Sequence, residues 1–486
     1  MMSRFCRILS VVLFLNVALS AEAKFLSFPG NFQWCVATSS HQIEGDNVDS
    51  DWWDWEHLPG KIKNGDISGK ATDHWNHLEE DVGLMKDLGL GTYRFSVEWA
   101  KIEPREGEWN YQAIDRYRRL LFLLKANNIQ PLVTLHHFTF PRWVAQNGGW
   151  EWNRTPEVFE RFTRFVEGEF NRDGLAVRDW VTINEPTIVL TMGYVVGVFP
   201  PGHNRDIVDL NQAMAGMLRS HARAYAVLHE GGVRAGLPIR VGMAHHLRIF
   251  DPASMWNIFD RMVANTLDQA FNWSVVEALE TGHASLELPG SPKWEEEIPG
   301  LKGTQDFIGL NYYGRDVVKY NKRLPIKFES RIPKGAPLSD MGWEIYPEGF
   351  YRMLKKIAKK VPGRNVIVTE NGVADAVDSR RAHFIEEHLA ALHKALDEGV
   401  AVEGYCHWSL LDNFEWAEGF TPRFGLYEVN YQTFARTPRA SALRYAEIIH
   451  SNGLERPVGT FFKRRLAWPD LPLIPTIPFP SVDTRH

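Results

Sequence analysis

The chain is organised around the stretch Asn365-Val-Ile-Val-Thr-Glu370-Asn-Gly372. A run of apolar and β-branched residues leads directly into a carboxylate and then into Asn-Gly, which predicts a buried strand that ends in a turn. A glutamate at the end of a buried strand costs free energy unless it is paired or takes part in chemistry. Glu370 is therefore a candidate functional residue, although a solvated loop position is an equally good interpretation of this stretch alone.

A second stretch repeats the pattern, Trp180-Val-Thr-Ile-Asn184-Glu185-Pro186. An apolar, β-branched run again ends in a glutamate, and the proline that follows stops the strand. Cleavage of a glycosidic bond requires two carboxyl groups, one as acid/base and one as nucleophile. Glu185 and Glu370 together therefore indicate glycoside chemistry.

Strands and helices alternate along the chain. Strands are predicted at 31–38, 91–97, 129–135, 180–184, 239–244, 306–311, 366–370 and 402–408, and helices at 73–88, 113–126, 156–170, 210–230, 255–279, 349–361, 383–398 and 439–450. The Trp- and Asp-rich run near residue 52 is predicted to be a loop. Eight such units predict an α/β fold, a single-domain (β/α)8 TIM barrel with long βα loops. An open doubly wound sheet is the alternative, but the glycine-rich phosphate loops that favour it are missing from the sequence.

The ends of the chain differ in composition from the barrel region at 24–453. Residues 1–23 resemble a secretory signal peptide, with Arg4 and Arg7 before a short apolar run and a small-residue cleavage site at Ala21-Glu22-Ala23. An uncleaved anchor is the rival interpretation, although the run is short for a membrane span. Residues 454–486 form a proline-rich extension. We therefore expect a secreted or extracytoplasmic protein with no membrane span in the mature chain.

Charge and cysteine content narrow the possible functions. The net charge of the 486-residue chain is −6, which argues against a nucleic-acid partner. Cys6 belongs to the predicted signal, and the remaining Cys35 and Cys406 are too few for a disulfide framework in a chain of this size. We therefore expect two buried free thiols.

The carboxyl ends of barrel strands share one rim, where active sites are built. Seven of the eight predicted strands deliver polar or aromatic residues there, namely Gln42, Arg94, His137, Asn184, Glu185, Asn311, Tyr313, Glu370 and Trp408. Stability alone does not require such a ring of side chains. The alternative for individual members is a structural role: Arg94 could pair with Glu98, and His137 could be a core histidine.

The chain resembles glycoside hydrolase family one, the β-glucosidase-like family. The resemblance rests on FQWCVATSSHQIEG, YRFSVEWAKIEP, TLHHFTFPRW, TINEP, DFIGLNYYG, MGWEIYPEG, VIVTENG and HWSLLDNFEWAEGFTPRFGL, which run in order from Phe32 to about Leu426. His136, Phe138, Cys35 and Glu98 depart from the usual residues of that family.

The resemblance implies a role for each candidate residue. Glu185 is the expected acid/base and Glu370 the expected nucleophile. Residues expected to bind the reacting sugar or its leaving group are Gln42, His137, Asn184, Asn311, Trp343, Trp408, Glu415 and Trp416. Arg94 and Tyr313 are expected to keep Glu370 ionised, and the charge on Glu370 to raise the pKa of Glu185.

The implied activity is that of a retaining exo-β-glycosidase, with glucose, fucose or galactose at the reacting end. The expected partner is a small β-glycoside or oligosaccharide, and neither a cofactor nor a metal is expected. Glu415 would repel a phosphorylated sugar. Two alternatives remain at this level, a non-catalytic glycan-binding relative and a transglycosylase that uses the same residues. The sequence gives no oligomeric state.

Overall fold

The computed structural model describes residues 23–288, 291–324 and 327–457. The predicted signal peptide, apart from Ala23, and the extension after Pro457 lie outside these residues. No helix in the described part is both long and apolar enough to cross a bilayer.

Eight parallel strands close into a barrel. They are β2 (Gln33–Ala37), β3 (Thr92–Ser96), β4 (Gln130–His136), β5 (Asp179–Asn184), β6 (Arg240–His246), β10 (Phe307–Asn311), β13 (Asn365–Asn371) and β14 (Val402–Trp408). The strand order is β10-β13-β14-β2-β3-β4-β5-β6, and β6 pairs with β10 to close the ring. The predicted TIM barrel is therefore confirmed, with every barrel strand within a few residues of its predicted position.

Helices follow the strands and cover the barrel. They are α1 (Ser40–Ile43), α2 (Asp51–Glu56), α3 (Leu78–Asp87), α4 (Trp99–Ile102), α5 (Tyr111–Ala126), α6 (Arg142–Gln146), α7 (Thr155–Phe170), α8 (Pro186–Leu190), α9 (Ile207–Ala235), α10 (Ile258–Leu267), α11 (Ser274–Thr281), α12 (Pro347–Lys360), α13 (Arg381–Asp397) and α14 (Ala440–Ser451). The single helix predicted at 255–279 is interrupted by a π-helical segment, Asp268–Trp273, between α10 and α11.

The Trp- and Asp-rich run is helical, so the loop prediction there is wrong. The Ser50 side chain caps α2 by accepting a hydrogen bond from the backbone N–H of Trp53. Trp52 and Trp55 are buried in the core. The burial of two large aromatic side chains therefore outweighs the weak helix propensity of this run.

Short strands outside the barrel extend its loops. They are β1 (Ala23–Ser27), β7 (Ile249–Pro252), β8 (His283–Leu286), β9 (Trp294–Glu297), β11 (Arg315–Tyr320), β12 (Phe328–Arg331), β15 (Tyr427–Val429), β16 (Arg436–Pro438) and β17 (Gly453–Pro457). β7, β11 and β12 form one sheet beyond the ends of β6 and β10, and β1 pairs with β17 to join the two ends of the described chain.

Cys35 and Cys406 form a disulfide, so the prediction of two free thiols is wrong. The two residues are direct register partners on the adjacent strands β2 and β14. They are 371 positions apart in sequence, and only the closure of the barrel makes them neighbours. The bond covalently joins the first barrel strand to the last.

Candidate active site

The ends of four adjacent strands bring the central side chains together. Asn311 ends β10, where its register partners are His246 on β6 and Glu370 on β13. Glu185 follows the last residue of β5 with a left-handed backbone, φ 46°, and its N–H donates to the carbonyl of Ala244 on β6 at 2.7 Å. Positive φ is strained for a residue with a side chain, and strained positions cluster at functional sites.

Glu370 is buried and held at both carboxylate oxygens. Nη1 of Arg94 lies 2.5 Å from its Oε1, and the Tyr313 hydroxyl donates to its Oε2 at 2.7 Å. Arg94 is itself almost fully buried, so its charge is poorly screened by water. The alternative pairing of Arg94 with Glu98 is not found; Glu98 instead accepts hydrogen bonds from Ser40 and Thr139.

Glu185 is also buried, but its partners are different. Oε1 accepts a hydrogen bond from Nδ2 of Asn311 at 2.8 Å and lies 3.1 Å from Nδ1 of His246. The His246 ring stacks on Tyr313, with centroids 5.6 Å apart. His246 thus contacts both Glu185 and Tyr313, and the Tyr313 hydroxyl is a hydrogen-bond donor to Glu370.

Asn184 links the two glutamates through a chain of hydrogen bonds. Its Oδ1 accepts from Nη2 of Arg94 at 2.6 Å and from Nδ2 of Asn311 at 3.1 Å. Its Nδ2 lies 3.1 Å from Nε2 of His137. Asn311 is oriented in turn by the Thr369 hydroxyl, which donates to its Oδ1 at 2.6 Å. A shift of any one of these side chains therefore disturbs the positions of both carboxyl groups.

The two carboxyl groups influence each other's charge. Burial raises the pKa of Glu370, Arg94 opposes this, and the charge on Glu185 adds to the rise, which brings the pKa to about 7. Burial also raises the pKa of Glu185, but the charge of His246 and the hydrogen bonds from His246 and Asn311 outweigh it, so this pKa is lowered. From the sequence, the raised pKa is expected at Glu185. The difference comes from His246, which the sequence did not place in the site.

Because the two groups interact, their protons leave in two steps that belong to the pair. Between the steps the pair holds one proton and one negative charge, the combination that an acid and a nucleophile together require. Arg94 is a permanent cation, and its contact with Glu370 favours a charge on that member of the pair.

A second polar group lies beside the pair. Nε2 of Gln42 donates to Oδ1 of Asn413 at 2.9 Å and to Oε2 of Glu415 at 3.3 Å, and its Oε1 accepts from the hydroxyl of Ser39 at 2.6 Å. Burial and the charges of Glu370 and Glu185 raise the pKa of Glu415 to about 8. Carboxyl and amide groups arranged in this way suit the neutral hydroxyl groups of a sugar.

Aromatic rings form a stack next to these polar groups. His137 lies between Trp408 and Trp416, with centroid distances of 6.1 and 6.0 Å and nearly parallel planes. His41 stacks on Trp416 at 5.6 Å. Trp343 is half-buried, and its ring packs edge-on against Tyr313 at 5.7 Å. Flat aromatic surfaces beside hydrogen-bonding groups are well suited to binding a ring with one apolar face.

Sequence reasoning missed His246, Asn413, Thr369 and His41. His246 follows Met243, Ala244 and His245 on the one barrel strand from which no candidate was taken, although its place at a strand end was a usable signal.

Three of the residues that depart from the usual family pattern lie around the site. His136 packs against Phe140 and Trp150, Phe138 against Trp416, and the burial of Glu98 raises its pKa.

The sequence has two adjacent histidine pairs, His136-His137 and His245-His246, and their members contact different partners. His245 lies near Gln305 and His246 near Glu185, while His137 contacts Asn184. Within the described residues, one group of potential metal ligands, Glu151, His203 and Asp209, lies close together, and it is separate from the residues above.

A closed (β/α)8 barrel with two buried, linked glutamates on its rim defines the class of barrel-fold glycoside hydrolases. The family model described as Glycosyl hydrolase family 1 matches residues 25–454, and the chain belongs to this family.

Among its relatives, β-glucosidase A of Thermotoga maritima is 36% identical over 452 residues, which cover 88% of this chain and 99% of that protein. The structure of the Thermotoga maritima β-glucosidase in complex with glucoimidazole matches with a TM-score of 0.81 and 35% identity, covering 88% of this chain and 100% of the other. The β-glycosidase from Pyrococcus horikoshii matches with a TM-score of 0.80 and 38% identity, covering 89% and 96%. The chain is thus a glycoside hydrolase of the β-glycosidase type.

Proposed function

We propose that this protein is a retaining exo-β-glycosidase that removes terminal β-glucosyl residues by double displacement. The observation that supports this most strongly is the unequal environment of the two glutamates. Glu370 contacts a permanent buried cation, whereas Glu185 contacts an amide and a histidine. The permanent charge beside Glu370 favours an anionic nucleophile, and the one proton that the coupled pair retains is available for Glu185 to donate.

In the first step Glu370 attacks the anomeric carbon, while Glu185 gives its proton to the leaving oxygen. The bond to the leaving group breaks as the bond to Oε of Glu370 forms, and the negative charge on Glu370 is lost. The pKa of Glu185 falls once that charge has gone, so Glu185 can then accept a proton from water. Water gives a proton to Glu185 and attacks the same carbon as its bond to Glu370 breaks, which regenerates the Glu370 carboxylate and releases the sugar with its original configuration.

The reacting sugar is proposed to lie against Trp408 and to hydrogen-bond Gln42, His137, Asn184, Glu415 and Trp416. Asn311 would contact the 2-hydroxyl group, and Trp343 the leaving group. Glucose is favoured because β-glucosidase A of Thermotoga maritima and its glucoimidazole complex are among the similar proteins. Galactose and fucose differ from glucose in few hydroxyl positions and are therefore the substrates to compare.

Labelling with an activated 2-deoxy-2-fluoro-β-glucoside tests the assignment of the nucleophile. The fluorine slows the second step, so one sugar should accumulate on the peptide that contains Glu370, as mass spectrometry of the digest can measure. Glu370→Gln keeps the size of the side chain and should not be labelled. Label on another residue, or an α-configured first product in NMR spectra, would contradict the proposal.

Export from the cytoplasm is proposed as well. The signal-like N-terminus supports it, and so does the Cys35–Cys406 disulfide, because disulfides persist mainly in oxidising compartments. Fractionation of the native host, with N-terminal sequencing of the isolated protein, tests this. A mature chain beginning near Lys24 outside the cytoplasm is the expected result.

A further inference from the structure

Five apolar side chains at the start of α10 are exposed together. They are Met255, Trp256, Ile258, Phe259 and Met262, which we call the α10 patch, and their exposed fractions are 66%, 97%, 56%, 54% and 58%. Single exposed apolar residues are ordinary, but a contiguous group of large ones marks an interaction surface. A tryptophan that is almost completely exposed is especially costly to leave in water.

The patch is held in place by the fold. The Asn257 side chain caps α10 by accepting hydrogen bonds from the N–H groups of Phe259 and Asp260. Oδ1 of the buried Asp260 accepts from the N–H of Tyr320 at 2.9 Å, and the Phe259 ring stacks on Tyr320 at 5.2 Å. The opposite side of α10 is buried, since Val263 and Ala264 pack with Val318. The apolar side chains therefore face outward because the helix is anchored.

Positive charges border the patch. Arg261 lies on α10 itself, and Lys319, Lys322 and Arg323 lie on β11 and in the turn after it. None of these four forms a salt bridge with a residue in the described ranges. Of the neighbouring acids, Asp316 pairs with Arg248, and Glu329, which lies opposite Lys319 in the sheet, pairs with Arg331. The surface around the apolar side chains is thus locally cationic, although the whole chain carries a net charge of −6.

The patch lies on the active-site side of the barrel. β7 begins three residues after the end of β6 at His246, and β11 begins four residues after the end of β10 at Asn311. These two strands pair with each other and support α10. A surface bound to the patch would therefore approach the same side of the molecule as the catalytic rim.

We propose that the α10 patch docks the protein on a lipid bilayer that contains anionic lipids. Tryptophan and other large apolar side chains insert at the boundary between headgroups and acyl chains, and nearby Lys and Arg are attracted to anionic headgroups. Both features are present here on one anchored element. A second copy of this chain fits less well, because a symmetric contact through the patch would bring the same four cations together. Docking in this way gives the catalytic rim access to glycosides that are held at a membrane.

Vesicle flotation of the full-length protein tests the proposal. Phosphatidylcholine vesicles with about one third phosphatidylglycerol are compared with pure phosphatidylcholine vesicles at low and high salt. Binding should be several-fold stronger to the anionic vesicles and should weaken with salt. Trp256→Ser/Ile258→Ser should lower the bound fraction about tenfold, and Lys322→Glu/Arg323→Glu should lower binding to anionic vesicles alone.

Matched controls separate the patch from general surface effects. Val233→Ser/Leu443→Ser removes two exposed apolar side chains elsewhere, and Lys86→Glu/Lys359→Glu makes the same charge change on α3 and α12. Both controls should bind as the wild type does, and circular dichroism should show that all variants are folded. Because every variant has the same N-terminus, the apolar run there cannot account for a difference.

Two results would overturn the proposal. One is equal vesicle binding by the wild type and by Trp256→Ser/Ile258→Ser. The other is a dimer in light-scattering measurements that this variant dissociates, without vesicle binding, which would identify the patch as a contact between copies. Since flotation does not measure turnover, an inactive protein that still binds vesicles would contradict the proposed function and not the docking.

Discussion

Nδ1 of His246 lies 3.1 Å from Oε1 of Glu185, inside the hydrogen-bonded group that also holds Glu370. Both residues are buried, so the interaction is poorly screened and changes the charge balance of the carboxyl pair. His246 contributes to lowering the pKa of Glu185, against the effect of burial. It is therefore a positioning residue for the proposed acid/base.

Replacement of His246 should move the alkaline limb of the pH–rate profile. Without the histidine, burial and the charge on Glu370 raise the pKa of Glu185. An acid must be protonated to act, so activity falls as pH rises through the second proton loss of the coupled pair, and a raised pKa of Glu185 moves that loss to higher pH. For His246→Phe we expect a shift of roughly one unit in the profile of kcat/KM.

Two further variants separate titration from packing. His246→Asn keeps a hydrogen-bond donor without a titrating ring and should give a smaller shift. His245→Gln changes the neighbouring histidine, which contacts Gln305 instead, and should leave the profile in place. A lower rate for His246→Phe with an unmoved limb would indicate a purely structural role.

Loss of the buried Arg94 cation should move the acidic limb of the pH–rate profile. Arg94→Met leaves Glu370 without the charge that opposes burial, so its pKa rises above about 7. Glu370 must be ionised to attack, so activity rises as pH passes the first proton loss of the coupled pair, and a raised pKa of Glu370 should move this acidic limb to higher pH. We expect kcat/KM at neutral pH to fall on the order of 10²-fold.

Arg94→Lys serves as the control because it retains a charge but loses the forked contact to Asn184 and Glu370. Its acidic limb should stay closer to that of the wild type than the limb of Arg94→Met, even though its rate is reduced. Identical limbs for both variants would show that the charge of Arg94 does not set the ionisation of Glu370.

The effect of removing the Glu185 carboxyl on the rate should depend on the leaving group. A dinitrophenolate departs without a proton, whereas an alkoxide requires one. In Glu185→Ala, formation of the glycosyl-enzyme should therefore be little changed with a dinitrophenyl glucoside but slowed about 10²–10⁴-fold with an alkyl glucoside. Pre-steady-state and steady-state rates for the two substrates measure this. An equal loss with both substrates would contradict the proposed role.

Reduction of the disulfide should destabilise the barrel. The Cys35–Cys406 bond closes a very long loop, and such bonds contribute about 2–5 kcal/mol to the free energy of unfolding. Urea unfolding with a thiol-free phosphine reductant should therefore show a lower midpoint than unfolding without it. The midpoint of Cys35→Ala/Cys406→Ala should not respond to the reductant. Two titratable thiols in the untreated, folded protein would contradict the bond.

Local sequence patterns predicted the elements that hold the site. The strands that end at Asn184, Asn311 and Asn371 could be found because apolar runs stop at polar residues. The helical Trp-rich run at residues 51–56 could not, because its stability comes from burial of Trp52 and Trp55 in a core assembled from distant segments. The interruption of the helix predicted at 255–279 was hidden for a related reason, since Asp268 at the start of the π-helical segment pairs with Lys356 on α12, 88 positions along the chain.

The eight strand–helix units and the two glutamates at strand ends could be found from the order of apolar and polar residues along short stretches. Three contacts appear only in the folded chain: the bond of Cys35 to Cys406, the pairing of Arg94 with Glu370 rather than Glu98, and the contact of His246 with Glu185. These contacts join residues far apart in the chain, and barrel closure and strand register fix them. Charge in a buried site depends on such neighbours, so the protonation of the carboxyl pair follows from the fold and not from the motifs.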